Sequence, residues 1–245
     1  MTCNKTVIII PARLKSSRLK QKLLLKIGNK SIINHTYERA CESTITDNVI
    51  ILVDDDKLFN HCKKFSSNVF LTSKCHQSGT DRIIDFIKSS SSSFENIINL
   101  QADEPFIDPT LIDNIILRLK NNHNIVSAAV KASNPKLVNP NNVKVVIDAN
   151  SNAIYFSRAE IPYNRDNSLE FHKLIHHGIY GYKKNILIDF SNYKNKYLED
   201  IEKLEQLRFL ENGQKINMII SSKISVGVDT KEDYLKAIEI YEKYY

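Results

Sequence analysis

The sequence predicts an α/β protein with a doubly wound, mainly parallel central sheet flanked by helices. Two observations support this fold class. Short apolar runs alternate with segments of helical spacing, an order typical of parallel sheets with helices on both faces. The first run, Val7-Ile8-Ile9-Ile10, is apolar at every position, as expected for a strand that is buried on both faces.

The first part of the chain follows this alternation closely. Strands are predicted over 6–12, 48–53, 68–71, 97–100, 125–130 and 143–147, and helices over 31–42, 57–65, 81–88 and 109–119. Each helix repeats apolar residues at the intervals of one helix face, as Ile83, Ile84 and Ile87 do. Pro109 stands in the first turn of its helix, where its missing N–H is tolerated.

After about residue 148 the pattern is less regular. Strands are predicted over 153–156, 178–182 and 216–220, helices over 204–210 and 230–244, and a polar surface loop over 163–172. Asn212-Gly213 is a helix-end signal, and Thr230 with Asp233 is a capping box. Because no stretch resembles an interdomain linker, the sequence predicts a single domain over residues 1–245.

Composition narrows the classes of protein. Hydrophobic content is 42% and charged content 25%, ordinary values for a globular protein. The chain has no apolar run long enough to cross a membrane, and its first residues do not resemble a secretory signal. We therefore expect a cytoplasmic protein without a membrane partner. The four cysteines are too dispersed for a zinc site and are expected to be reduced thiols.

A formal net charge of +6 leaves two kinds of partner open, nucleic acid and small phosphorylated molecules. The lysines are dispersed, and no nucleic-acid-binding motif is present, so we expect no nucleic-acid partner. The Walker, dinucleotide-binding and hydrolase nucleophile motifs are also absent.

The segment after the first strand is strongly basic. Its cationic residues are Arg13, Lys15, Arg18, Lys20 and Lys22. Open α/β sheets bind ligands beyond the carboxyl ends of their strands, and Arg and Lys bind phosphate oxygens. Ser16 and Ser17 are small enough to let the backbone approach an anion. The alternative is a solvated basic loop.

Three further polar segments follow predicted strands. Residues 76–82 precede a helix, where free amides bind anions, although Ser78 or Thr80 could simply cap that helix. Asp103 and Asp229 both follow strands, and they could share one Mg²⁺ ion. The alternatives are turn chemistry at Glu104, next to Pro105, and a favourable interaction of Asp229 with a helix dipole.

Two segments in the second half carry polar side chains suited to reading a sugar. These are His176-His177-Gly178-Ile179-Tyr180 and Leu204-Glu205-Gln206-Leu207-Arg208. The alternative is that the histidines are ordinary surface or core residues.

Together these segments resemble the 3-deoxy-manno-octulosonate cytidylyltransferase family, whose members are CMP-Kdo synthetases. The shared motifs run in order along nearly the whole chain. They are I-P-A-R-x-x-S-S-R-L at 10–19, H-Q-S-G-T-D-R at 76–82, N-L-Q-A-D-E-P at 99–105, N-P-N-x-V-K at 139–144, Y-F-S-R-A-x-I-P at 155–162, H-x-G-I-Y at 176–180, L-E-Q-L-R at 204–208 and G-V-D-T at 227–230.

The resemblance implies a Rossmann-like nucleotidyltransferase fold with a smaller sugar-binding and dimerisation subregion at about 150–215. It implies a homodimer that uses CTP and Mg²⁺ to activate the sugar acid Kdo as CMP-Kdo for lipopolysaccharide biosynthesis, releasing pyrophosphate.

The same resemblance assigns roles to individual residues. The implied nucleotide-binding residues are Arg13, Ser16, Ser17, Arg18, Lys22, Ser78, Gly79, Thr80, Arg82 and Asp103. The implied sugar-binding residues are Gln101, His176, Tyr180, Glu205 and Gln206. Asp103 and Asp229 match the magnesium ligands and, with Arg18 and Lys22, form the implied catalytic group.

Departures from the usual pattern and two alternative functions accompany the resemblance. The chain has Leu19-Lys20-Gln21-Lys22 where the family commonly has Leu-Pro-Gly-Lys, and Ala102 where Gly is usual. The same chemistry on a related acid, such as 8-amino-Kdo or a sialic-acid-like sugar, stays open, as does a non-catalytic nucleotide-binding relative. Sialate-type enzymes usually read Arg-x-Gly-Ser-Lys in the first loop, and this chain does not.

Overall fold

A computed structural model describes residues 6–46, 48–90, 93–132, 140–165, 172–223, 225 and 227–244. Three of the sequence predictions fall at least partly outside the described residues: Asn139 of the motif at 139–144, the thiol of Cys3, and part of the polar loop predicted at 163–172. The chain divides into two compact units. Unit 1 holds the described residues of 1–116 and 225–245, and unit 2 holds those of 117–224. The single domain with a subregion at about 150–215 stays a prediction.

Unit 1 contains a parallel sheet. Its strands are β1 (Thr6–Ala12), β4 (Val49–Val53), β5 (Val69–Leu71) and β6 (Asn96–Asn99), and a small hairpin is formed by β2 (Lys26–Ile27) and β3 (Lys30–Ser31). The sheet order is β6-β1-β4-β5, and every pair in it is parallel. All residues of β1 and β4 are buried, which confirms the prediction from their continuous apolar runs.

The five α-helices in the described part of unit 1 were all predicted, with bounds within a few residues of those observed. They are α1 (Ile32–Cys41), α2 (Asp56–Cys62), α3 (Gly79–Ser89), α4 (Pro109–Lys120), which begins in this unit, and α8 (Lys231–Tyr244). The predicted capping box of α8 is present: Asp233 N–H donates to Thr230 Oγ1 at 3.2 Å, and Thr230 N–H donates to Asp233 Oδ2 at 2.9 Å. Among the described residues, no helix combines the length and apolarity that a membrane crossing requires.

Unit 2 contains a mixed sheet. Its strands are β7 (Ile125–Lys131), β8 (Lys144–Ile147), β9 (Ala153–Ser157), β10 (Leu174–Lys183) and β11 (Ile216–Ser221), and its helices are α5 (Lys184–Asp189), α6 (Tyr197–Glu202) and α7 (Gln206–Glu211). β11 pairs with β7 in parallel, while β10 is antiparallel to both β7 and β8, and β8 is antiparallel to β9. Simple strand–helix alternation does not continue through this unit.

The hairpin of unit 1 turns at Gly28, which has a φ of 59°. An ideal Cβ built there would lie 2.4 Å from Tyr241 Cε1 on α8. We expect Gly28→Ala to lower the free energy of unfolding by about 2–3 kcal/mol, because left-handed Ala costs roughly 1 kcal/mol and the added methyl displaces the ring. Urea denaturation measures this loss.

The double variant Gly28→Ala/Tyr241→Leu separates the backbone cost at position 28 from the clash with the ring of Tyr241. Shortening the side chain at 241 removes the clash but leaves the backbone cost, so the two changes should destabilise less together than their sum. An unfolding free energy unchanged by Gly28→Ala would contradict the proposed packing of α8 on the hairpin.

Candidate active site

The polar segments of unit 1 follow the carboxyl ends of its parallel strands. Arg13 follows β1, Asp54 follows β4, the segment 72–76 follows β5 and residues 101–104 follow β6. Because the strands are parallel, these segments all leave the same edge of the sheet, where open α/β sheets bind ligands. The sequence predicted this placement for the basic loop and for Asp103.

Two aspartates that are distant in sequence converge on one lysine at this edge. Lys22 Nζ donates to Asp103 Oδ2 and to Asp229 Oδ1, each at 2.5 Å. Arg18 Nη2 lies 2.7 Å from Asp229 Oδ2. The four residues implied as the catalytic group are therefore in direct contact. The two carboxylate oxygens that share the ammonium group lie within about 5 Å of each other.

This pairing changes the proton affinity of Lys22. Burial alone would lower the pKa of its ammonium group. The charge of Asp103 and the hydrogen bonds to both aspartates outweigh burial, so the pKa is raised above its ordinary value. Lys22 is therefore a fixed positive charge at neutral pH.

Backbone contacts hold the segment around residue 228 against the segment that follows β6. Val228 N–H donates to the carbonyl oxygen of Asp103 at 2.9 Å. Ser225 Oγ donates to a carboxylate oxygen of Glu104. A Cβ at Gly227 would lie 2.9 Å from Glu104 Oε1, so only glycine fits this close approach without a shift. These contacts explain why Asp229 reaches Asp103.

Glu104 lies beside this site and titrates unusually. Burial, followed by the negative charge of Asp103, raises the pKa of its carboxyl group to about 7. The protonated form can donate a hydrogen bond, whereas the ionised form only accepts. Glu104 was not predicted as a site residue, because an acid next to Pro105 is also typical of a turn.

The turn that presents Lys22 contains a left-handed residue. Gln21 has φ 52° and ψ 36°, the conformation for which glycine is best suited and which costs a residue with a side chain roughly 1 kcal/mol. Its Oε1 accepts a hydrogen bond from Lys57 Nζ at 2.8 Å. Gln21, which stands where the family commonly has Gly, thus adopts a backbone conformation that favours glycine.

Arg82 is buried, with 1% of its side chain exposed. Its guanidinium group donates to Thr72 Oγ1 and, at 3.4 Å, to the carbonyl oxygen of Ser73, and it lies 3.8 Å from Asp54 Oδ2. Burial lowers the pKa of Arg82, and the charge of Asp54 opposes that shift. The residue implied as part of the nucleotide segment therefore also supports the loop after β5.

Asp54 links this network to the basic loop. Its Oδ1 accepts a hydrogen bond from the backbone N–H of Leu14 at 2.9 Å. Arg13 Nη2 in turn donates to the carbonyl oxygen of His76 at 2.6 Å. The segments after β1, β4 and β5 are thus tied together. Asp54 was not predicted as a site residue, although its position directly after the second strand was a usable signal.

The other implied nucleotide residues occupy the same part of unit 1. Ser78 caps α3, with Asp81 completing a capping box, so the structural alternative considered for this segment is realised. Gly79 approaches the ring of Pro11, and Thr80 is buried. In the basic loop Ser16 is partly exposed and Ser17 is exposed. Gln101, implied as a sugar residue, also lies in unit 1, two residues after the end of β6.

In unit 2 the implied sugar residues lie along an aromatic row. His176 stands between Phe156 and Tyr180, with ring centroids 5.1 and 5.3 Å away. Its Nε2 lies 3.1 Å from Ser127 Oγ. Burial, followed by the charge of the neighbouring Glu205, raises the pKa of Tyr180 well above its usual value. Gln206 begins α7 and is buried.

His176 is held in its neutral form. Burial and, to a smaller extent, His177 lower its pKa to about 3. Between pH 6.5 and 3 the unfolded chain therefore binds a proton at this position that the folded chain does not. Stability from this group is fully present above about pH 6.5 and is lost as the pH falls toward 3.

We expect the folded protein to lose roughly 2 kcal/mol of stability through His176 between pH 7 and pH 5. Denaturant unfolding at the two pH values measures this loss, and His176→Gln should reduce the difference by about that amount. His172→Gln, a change at an exposed position, is the matched control. An equal pH dependence in the wild type and His176→Gln would contradict a neutral, desolvated imidazole.

In the described part of the chain, side chains able to ligate a metal ion come together at most in pairs. No group of three or more His, Cys, Asp or Glu side chains is gathered there in a way that could hold a metal ion. Asp103 and Asp229 are a pair of carboxylates, so any cation bound by them would take its remaining ligands from water or substrate.

Comparison with known proteins gives a consistent result. The cytidylyltransferase family matches residues 7–216. The 3-deoxy-manno-octulosonate cytidylyltransferase of Solibacter usitatus is 39% identical over 241 residues, 97% of this chain and 95% of the relative. That of Elusimicrobium minutum is 42% identical over 238 residues, 95% of this chain and 96% of the relative.

A solved structure agrees with these relatives. The structure of CMP:2-keto-3-deoxy-manno-octonic acid synthetase complexed with CTP matches with a TM-score of 0.92 and 32% identity, covering 98% of this chain and 100% of that one. The match confirms the predicted fold class, an α/β nucleotidyltransferase fold with a mainly parallel central sheet flanked by helices. The chain belongs to the 3-deoxy-manno-octulosonate cytidylyltransferase family.

Proposed function

We propose that this protein transfers the CMP group of CTP to 3-deoxy-D-manno-octulosonate, giving CMP-Kdo and pyrophosphate. The observation that carries the proposal is the contact of Arg18 and Lys22 with Asp103 and Asp229. A site with cations for a triphosphate and paired carboxylates for a metal ion suits nucleotidyl transfer. The names of the relatives and of the CTP-bound structure support the choice of substrates.

Three cationic side chains would bind the triphosphate. Arg13 uses one nitrogen for the carbonyl oxygen of His76 and retains further N–H groups for phosphate. Arg18 is more than half exposed, so it can turn toward an anion at little cost. Together with Lys22 these residues would neutralise the charge that develops on the departing pyrophosphate.

The residues present fit a magnesium ion. Mg²⁺ is typically bound through one or two carboxylates and completes its octahedron with water and substrate phosphates, and Asp103 and Asp229 supply two carboxylates that converge. When bound, Mg²⁺ would polarise the α-phosphate and lower the pKa of the attacking hydroxyl group.

The remaining contribution of the protein is to hold the sugar acid. In unit 2, His176, Tyr180, Glu205 and Gln206 would offer imidazole, phenol, carboxylate and amide groups for sugar hydroxyls. The neutral state of His176 matters here, because only a neutral imidazole can both donate and accept. The mixed donors and acceptors would fix the orientation of the anomeric hydroxyl group.

The reaction is an in-line displacement. The anomeric oxygen of the sugar forms a bond to the α-phosphorus of CTP, and the bond between that phosphorus and the bridging oxygen breaks. Pyrophosphate leaves with the bridging oxygen and its electron pair, and the hydroxyl proton passes to solvent. No covalent intermediate with the protein is required, so catalysis depends on positioning and preorganised charge. We further propose that the enzyme works as a homodimer in the cytoplasm and supplies lipopolysaccharide biosynthesis.

A pyrophosphate-release assay tests this function. Release should require CTP, Mg²⁺ and Kdo, each omitted in turn, and ATP, GTP and UTP should replace CTP poorly. Parallel reactions with 8-amino-Kdo and a sialic acid identify the preferred sugar acid. CTP binding by calorimetry without pyrophosphate release on any sugar would instead indicate a non-catalytic relative.

A further inference from the structure

We propose that Lys22 and Arg18 form a latch that occupies the two aspartates until nucleotide binds, so that nucleotide binding precedes divalent-cation binding at Asp103 and Asp229. This inference rests on the proposed function, because it assigns the same two cationic side chains to the triphosphate. It adds an order of binding and a cause for that order.

The first support is the position of the ammonium group. Lys22 Nζ lies 2.5 Å from one oxygen of each aspartate, which is where a cation shared by both carboxylates would have to lie. Only 14% of the Lys22 side chain and 24% of the Asp103 side chain are exposed. A metal ion and this ammonium group therefore cannot occupy the same position, and they would repel strongly at close range.

The second support is the charge balance of the cluster. Asp103 and Asp229 contribute two negative charges, and Lys22 and Arg18 contribute two positive charges in direct contact with them. The carboxylates are thus already neutralised by the protein. A divalent cation gains little from them unless at least one cationic side chain leaves.

The third support is that a triphosphate would compete with the aspartates for the two cationic side chains. Arg and Lys form strong charge-assisted hydrogen bonds with phosphate oxygens, and a nucleoside triphosphate brings more negative charge than two carboxylates. Lys22 and Arg18 lie in and just before the turn that leaves the basic loop, the segment whose cationic side chains are proposed to bind the triphosphate. Their transfer to the triphosphate would leave both carboxylates available to the metal ion.

A latch of this kind makes the two binding events cooperative. Each ligand would increase the affinity for the other by the same factor, as linkage requires, and factors of roughly 5–150 are usual for such coupling. A complementary expectation follows for the protein without nucleotide. Removing the ammonium group should raise its affinity for a divalent cation.

The test measures Mn²⁺ binding without nucleotide or sugar. Free Mn²⁺ is followed by electron paramagnetic resonance for the wild type and for Lys22→Ala, Arg18→Ala and Lys20→Ala. We expect Lys22→Ala to bind Mn²⁺ at least about tenfold more tightly than the wild type. Arg18→Ala should show a smaller gain because this pair is more exposed, and Lys20→Ala, which removes a charge from the same loop, should show none.

Two further variants locate the ion. Adding Asp103→Asn or Asp229→Asn to Lys22→Ala should abolish the gained affinity, and circular dichroism verifies that each variant is folded. Equal or weaker Mn²⁺ binding by Lys22→Ala, or tight binding that survives either of the two added substitutions, would overturn the latch. Since no turnover is measured, failure of the pyrophosphate assay would leave this result unaffected.

Discussion

Asp103→Asn and Asp229→Asn are each expected to lower the rate of pyrophosphate release from CTP at least about 100-fold. Each change replaces a carboxylate by a neutral amide of nearly the same size. Lys22 then loses one charged partner, and the proposed metal ion loses one of its two anionic ligands. The measurement is the turnover rate at saturating CTP, Mg²⁺ and Kdo.

The control for this prediction is Asp200→Asn, which removes an acid from the exposed surface of α6. Its turnover should equal that of the wild type. A protein carrying both Asp103→Asn and Asp229→Asn that remains folded and retains near-normal activity would eliminate the paired aspartates from the mechanism.

Asp54→Ala is expected to lower the free energy of unfolding by about 3 kcal/mol. Arg82, with 1% of its side chain exposed, would lose its acidic partner, and the N–H of Leu14 would lose its acceptor. A buried charge left without its partner is among the costlier defects a single substitution can cause. Urea denaturation measures the change, and the apparent KM for CTP should rise because the basic loop loses its anchor.

Two further variants separate the contribution of the Asp54 charge from that of its hydrogen bond with Leu14. Asp54→Asn keeps an oxygen for Leu14 but removes the charge, so its loss should be smaller. Asp54→Ala combined with Arg82→Met removes the buried charge together with its partner and should be more stable than the summed single effects predict. Wild-type stability in Asp54→Ala would mean that the contact between Asp54 and Arg82 contributes nothing to the fold.

The parallel sheet of unit 1 was predictable because its strands are continuous apolar runs. The same reasoning fell short in unit 2. β10 spans Leu174–Lys183, yet two histidines and a glycine interrupt its apolar pattern, so only 178–182 was predicted. α6 was missed because it buries no residue, and a helix without a buried stripe leaves no periodic signal. The two-residue strands of the hairpin are also too short for a pattern.

The site shows a similar division. Residue types and the carboxyl ends of strands identified the basic loop, Asp103 and Asp229, but spacing alone could not establish their contact. That contact depends on backbone bonding between Val228 and Asp103 and on the close approach at Gly227. Asp54 was missed because it begins a run of three acidic residues, in which Asp55 has the separate role of capping α2.

Because unit 1 is built from two separate stretches of the chain, the ribosome completes its group of charged residues late in synthesis. Lys22 and Asp103 belong to the first stretch and Asp229 to the second, with residues 117–224 made in between. At roughly 5–20 residues per second, that interval lasts on the order of 10 s. A nascent or prematurely terminated polypeptide without Ser225 and the residues beyond it carries the basic loop but only one of the two acids, so it would emerge unable to consume CTP.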